Sequence, residues 1–85
     1  MLLKSYFELG EYDALDSLLD SFMRYLQRQK DLGYHKDNYF SLIKFTKKIM
    51  YLDRNDKAAK AALELEIRNT THLAERSWLL DKVAR

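Results

Sequence analysis

Two glycines, Gly10 and Gly33, and no proline supply all the backbone punctuation in 85 residues. Glycine takes positive φ without a Cβ clash, and proline pre-sets φ for turns, so a chain this poor in both is ill equipped for hairpins of β-sheet. Long helices joined by short polar connections fit it better. The apolar spacing agrees. At about 100° per residue, Leu15, Leu18, Leu19, Phe22 and Leu26 share one face, while Asp13, Asp16, Asp20 and Arg24 fall opposite. Carboxylates crowd the first turns of this segment, and Arg24, Arg28 and Lys30 crowd the last, the order a helix dipole favours. A helix over about 11–30 is expected.

Ahead of it, Leu2, Leu3, Tyr6, Phe7 and Leu9 predict a short helix over about 2–9 that stops at Gly10. The chain should fold back there as an antiparallel pair, with Tyr6 and Tyr12 packing where the helices meet. Gly33 repeats the device before a third helix over about 36–52, whose apolar face is Tyr39, Leu42, Ile43, Phe45, Thr46, Ile49, Met50 and Leu52. Asn55 or Asp56 can cap a fourth helix over about 56–69, in which Ala59, Ala62, Leu63 and Ile67 make a narrow face suited to close helix contact. At Asn69–Thr71 either a fresh helix starts, running over about 71–83, or one helix passes through; the absence of glycine and proline favours continuity. In the last segment Leu73, Leu80 and Ala84 line one face, with Leu79 and Val83 beside it and Trp78 nearly opposite. The expected class is all-α: antiparallel helical hairpins in a small bundle of four to five helices, forming a single helical domain or a fragment of a longer protein over 1–85.

Composition narrows the function. With no cysteine there is no disulfide framework, thiolate nucleophile or cysteine-based zinc site, which fits a reducing compartment, and the cytoplasm is expected. No stretch approaches the roughly 20 apolar residues of a membrane span. The net charge of +2 conceals a gradient. Residues 1–23 hold one cation and five anions, net −4; residues 24–60 hold ten and four, net +6; residues 61–85 hold four of each.

Catalytic patterns are missing. There is no G-x-S-x-G, P-loop or G-x-G-x-x-G, and the serines have no base at recognisable spacing. His35 and His72 lack an H-E-x-x-H pattern or cysteine co-ligands, and Asp13, Asp16 and Asp20 read as a solvated face. The expectation is a protein that is not an enzyme and uses no cofactor or metal. The candidate contact residues lie elsewhere. Phe40, Lys44, Lys47 and Tyr51 recur at i, i+4, i+7 and i+11 away from the apolar face of the third helix, with Lys48 beside them. Such a stripe can seat in an acidic groove of a protein, or stack on bases and neutralise phosphates. Trp78 is the second candidate, because a thin bundle cannot bury both sides of the last helix; it suggests a homo-oligomer formed there or through the first helix.

The stretch Tyr6…Gly10-x-Tyr12-x-x-Leu15…Leu19…Phe22 resembles the middle of a tetratricopeptide repeat, an antiparallel helix pair with tyrosine, glycine and tyrosine at this spacing. Leu19 stands where that family has a large apolar residue. Leu15 and Phe22 depart from its small residues, and no proline follows the second helix. The resemblance implies the C-terminal part of a larger bacterial helical-repeat protein that binds a protein or peptide partner in a concave groove. A small nucleic-acid-binding domain using the basic centre is the alternative.

Overall fold

The structure, a computed structural model, describes residues 2–30 and 33–84. Among the described residues there are five helices and no strand: α1 (Leu2–Leu9), α2 (Tyr12–Arg28), α3 (Tyr34–Met50), α4 (Lys57–Asn69) and α5 (Arg76–Ala84). No helix among them is long and apolar enough to cross a membrane. The chain divides into two compact units, Met1–Asp31 and Leu32–Arg85.

In the first unit α1 packs on the first half of α2, where Leu3 and Phe7 of one and Leu15 and Leu19 of the other are buried; Leu26, further along α2, is buried as well. The turn between them is the one that Gly10 dictates. Its φ is +73°, its N–H donates to the Phe7 carbonyl at 3.1 Å, and the Glu11 N–H donates to the Tyr6 carbonyl at 3.0 Å. That pair of bonds is the Schellman closure of a helix C-terminus, and it satisfies carbonyls that would otherwise lack partners. Tyr12 packs where the helices meet, and its ring partner there is Phe7, while Tyr6 is half-buried. Phe7 meets Tyr12, ring centroids 5.7 Å apart and tilted by 51°, because Phe7 rather than Tyr6 lies on the buried side of α1.

The second unit is built on α3. Leu42, Ile43, Phe45 and Ile49 are buried, as is Thr46, whose hydroxyl donates to the Leu42 carbonyl one turn back at 2.7 Å. A polar side chain can sit in the core when its donor is satisfied in this way. Asp56 caps α4, accepting the Ala59 N–H at 3.0 Å, as its position before an alanine-rich run suggests. Helix α4 packs on α5, and α5 packs on α3. The buried contributions are Leu63 and Ile67 from α4 and Leu79 and Val83 from α5.

The helix does not continue through Asn69–Thr71. Thr70 is extended at φ −76° and ψ 124°, and α5 begins only at Arg76. The cause is a side chain further along. The Arg76 guanidinium donates to the carbonyls of Ile67 and Arg68 at 2.8 Å each, and to that of Thr70. The Thr70 hydroxyl donates to the Glu66 carbonyl at 2.7 Å. Together they terminate α4 by occupying its last acceptors, work that Gly10 does for α1. The expected role of Gly33 in closing the second helix is corrected, since α2 ends at Arg28, with the Gln29 N–H donating to the Leu26 carbonyl at 3.2 Å, and Gly33 stands at the start of α3. Glu75 takes a positive φ of 59° as the chain turns into α5, and the Ala74 N–H ties the connection to the Asn38 carbonyl at 3.2 Å. The register of α5 also differs from expectation. Its buried stripe is Leu79, Lys82 and Val83, while Leu80 is half-buried and Ala84 exposed.

Candidate functional site: a groove between α3 and α4

The two helices joined by residues 51–56 are held apart over part of their length. Helix α4 packs mainly on α5, and it turns Ala59 and Ala62 toward an open groove of about 680 Å³ between α3 and α4. Lys47, Lys48 and Tyr51 form its α3 wall. Leu52 and Leu63 supply apolar surface, and Asp53 and Asp56 mark the end nearest the connection. The alanines expected to promote close helix contact therefore do the opposite on this side; Ala62 is exposed.

Glu66, on α4, closes the other end. Its carboxylate accepts from Lys48 Nζ at 2.9 Å and lies 3.4 Å from Lys44 Nζ. The hydrogen bond from Lys48 is the main reason its pKa falls below the ordinary glutamate value, with partial burial opposing and Lys44 reinforcing. Beneath these charges lies the buried ring of Phe45, 5.3 Å from Lys44 Nζ and 5.7 Å from Lys48 Nζ. Two ammonium groups thus share one carboxylate and one aromatic face, which fixes where the lysines stand. The groove is polarised as a result. Its lining carries Lys47 and Lys48 with Glu66 toward one end and Asp53 and Asp56 at the other, two cations against three carboxylates, while Lys44 reaches Glu66 from outside the lining.

Of the residues singled out in the sequence, Lys47, Lys48 and Tyr51 come together here, and Lys44 joins through Glu66. Tyr51 is 74 % exposed. Phe40 does not line the groove; it is half-buried, with Lys36 Nζ 5.8 Å from its ring. Trp78 lies outside it on α5, half-buried, with Lys82 Nζ 5.9 Å from its ring. The ammonium of Lys82 lies 3.4 Å from Asp81 and its stem is buried, so lysine packing covers part of that tryptophan from within the chain.

The periodicity of α3 missed the other half of the site. Leu52, Leu63, Ala62 and Glu66 sit on different elements, and only the pairing of Glu66 with a lysine 18 positions earlier reveals which faces oppose. His35 and His72 are both exposed, in the first turn of α3 and in the connection before α5. Among the described residues no three His, Asp or Glu side chains converge as metal ligands. No family model, curated protein or solved structure matches the chain.

Proposed function

We propose that this chain is a protein-binding module, without chemistry of its own, whose α3–α4 groove receives an apolar segment of a protein partner. The observation that carries the proposal is an exposed Tyr51 beside Leu52 and Leu63, bordered by Lys47 and Lys48. Exposed aromatic surface with cations at its rim is characteristic of contact surfaces, because the ring gains on desolvation while the rim charges select the partner. The glycine-closed hairpin of α1 and α2 supports reading the chain as a divergent tetratricopeptide-like scaffold. A cytoplasmic setting suits a chain without cysteine.

Nucleic acid is the less suitable occupant. Glu66 already engages Lys44 and Lys48, and Asp53 and Asp56 would face a phosphate backbone across the same groove. The test uses two substitutions at exposed positions, Ala62→Leu to fill the groove and Tyr51→Ser to remove its aromatic wall. Wild-type and variant proteins would be compared for quantitative retention of proteins from a lysate of the source cells. The reading expects specific partners to drop at least about fivefold with both variants at unchanged helicity. Equal retention of every specific partner would overturn it, as would salt-sensitive retention of DNA or RNA in their place.

A further inference from the structure

The connection between α4 and α5 admits two hydrogen-bonding solutions. In the structure Thr70 is extended, Glu75 takes a φ of 59°, and the Arg76 guanidinium holds the carbonyls of Ile67, Arg68 and Thr70. A straight helix through the same residues would give those three carbonyls to the N–H groups of Thr71, His72 and Ala74, each four positions on. The Ala74 N–H would leave the Asn38 carbonyl to do so, and the Thr70 hydroxyl would keep its bond to the Glu66 carbonyl one turn back. None of the three acceptors is orphaned by the change. No glycine or proline stands between Asn69 and Arg76 to forbid it. Glutamate, strained at positive φ in the turn, is a good helix former.

We infer that α5 is an exchangeable element: when the connection straightens, α5 leaves its own α3 and α4 and takes the same place on those of a second copy. The surface that receives it is already specified within the chain. Leu79 and Val83 are fully buried, Lys82 is buried between them in sequence, and Arg54 donates to the Lys82 carbonyl at 2.7 Å. A straightened single chain would expose those side chains to water. A second copy whose own α5 has withdrawn offers each of them the contacts it lost on α3 and α4. Two copies exchanging α5 reciprocally form a closed dimer, with the buried contacts of one chain reproduced between chains. The α3–α4 groove takes no part in it.

Since the packing contacts are the same in both forms, the connection decides between them. Against exchange stand the Arg76 fork and the tether, which holds α5 beside its own site at an effective concentration on the order of millimolar. For exchange stand relief of the Glu75 backbone and the helical hydrogen bonds gained. The unaltered chain should therefore be monomeric at low micromolar concentration, with exchange setting in toward about a millimolar. Each dimer carries two connections, so a change in the balance per chain enters the dimerisation constant squared.

The experiment is sedimentation equilibrium of the full chain and its variants from about 10 μM to about 500 μM. Arg76→Ala should tighten dimerisation at least about 100-fold, so that dimer dominates near about 100 μM. Thr71→Ala with His72→Ala favours the straight helix and leaves the Arg76 fork in place. That pair should tighten dimerisation at least about tenfold, and adding Glu75→Gly should reverse the gain, since glycine accepts the turn and weakens the helix. Ala62→Leu, which fills the groove, should change none of this. A distance identifies the exchange. Lys57 and Ala84 line one cleft of about 440 Å³ between α4 and α5, whereas a straight helix from 57 to 84 would set them about 40 Å apart. The chain has no cysteine, so Lys57→Cys with Ala84→Cys carries a spin label at each position. Double electron–electron resonance on labelled chains diluted in unlabelled ones should show the long distance in the dimer. Strict monomers for both Arg76→Ala and the Thr71→Ala, His72→Ala pair over the whole range overturn the inference. So does a dimer that keeps the short distance, or one that Ala62→Leu abolishes.

Discussion

Arg76 offers the sharpest test of how the second unit is held, because one side chain replaces the turn residue that the sequence lacks. Its guanidinium donates to three backbone carbonyls, those of Ile67, Arg68 and Thr70, closing α4 and joining it to the start of α5. A hydrogen bond to a charged group contributes about 1.5–3 kcal/mol net. The three share one cation and are not additive, and the carbonyl of Arg68 is exposed, so water would replace that bond on truncation. The positive charge at a helix C-terminus adds about 0.3–1 kcal/mol. Arg76→Ala should therefore destabilise the second unit by about 2–3 kcal/mol, which in a small domain corresponds to a fall in Tm of about 10–20 °C. Arg76→Lys should recover less than half of that, since an ammonium lacks the planar fork that spans three acceptors. Trp78 is the only tryptophan and stands on α5, so its fluorescence reports this unit directly. Hydrogen exchange in the last turn of α4 should accelerate in parallel. A fall in Tm of less than about 3 °C would refute the assignment of Arg76 as the closing element.

Three further outcomes follow from local geometry. Gly10→Ala should cost about 1–2 kcal/mol through backbone strain alone, since the added methyl meets nothing within 4 Å at φ +73°; urea denaturation showing no loss would contradict the positive-φ turn. Asp56→Ala should cost about 1 kcal/mol by removing the acceptor for the Ala59 N–H, whereas Asp56→Asn should cost much less; equal losses would point to charge rather than capping. Glu66 has its folded pKa below its unfolded one, so its contribution is present above the ordinary glutamate value of about 4.3 and fades as pH falls through the lowered folded value. Because the carboxylate is 41 % exposed, solvent screening limits that contribution to about 0.2–0.5 kcal/mol. The stability gap between wild type and Glu66→Gln should be present at pH 7 and vanish near pH 3; a gap of the same size at both would show that Lys44 and Lys48 do not set it.

Much of the helical layout was legible because its determinants are local. Gly10 ends α1 through bonds to residues three and five positions back, and Asp56 starts α4 through a bond three positions ahead. The amphipathic run of α2 needs only its own period, and Leu15, Leu19 and Leu26 are buried as that period requires. The end of α4 was not legible, because its last carbonyls are taken by an arginine six to nine residues downstream whose reach depends on where α5 lies. Thr70 and Asn69 permit either outcome, and the absence of glycine and proline pointed the wrong way.

The sequence by itself determined the helical class, the fold-back at Gly10 and the alternation of acidic and basic segments, since each follows from residue type and near-neighbour spacing. Tertiary structure alone decided that Lys44 and Lys48 converge on Glu66, that Lys47 and Tyr51 share a groove with Leu52 and Leu63, and that Phe40 and Trp78 stand apart from it. The physical reason is that helix periodicity specifies which residues share a face, but not which face of another helix it meets. That choice belongs to the packing of α4 on α5 and α5 on α3, which leaves the alanines of α4 facing a gap.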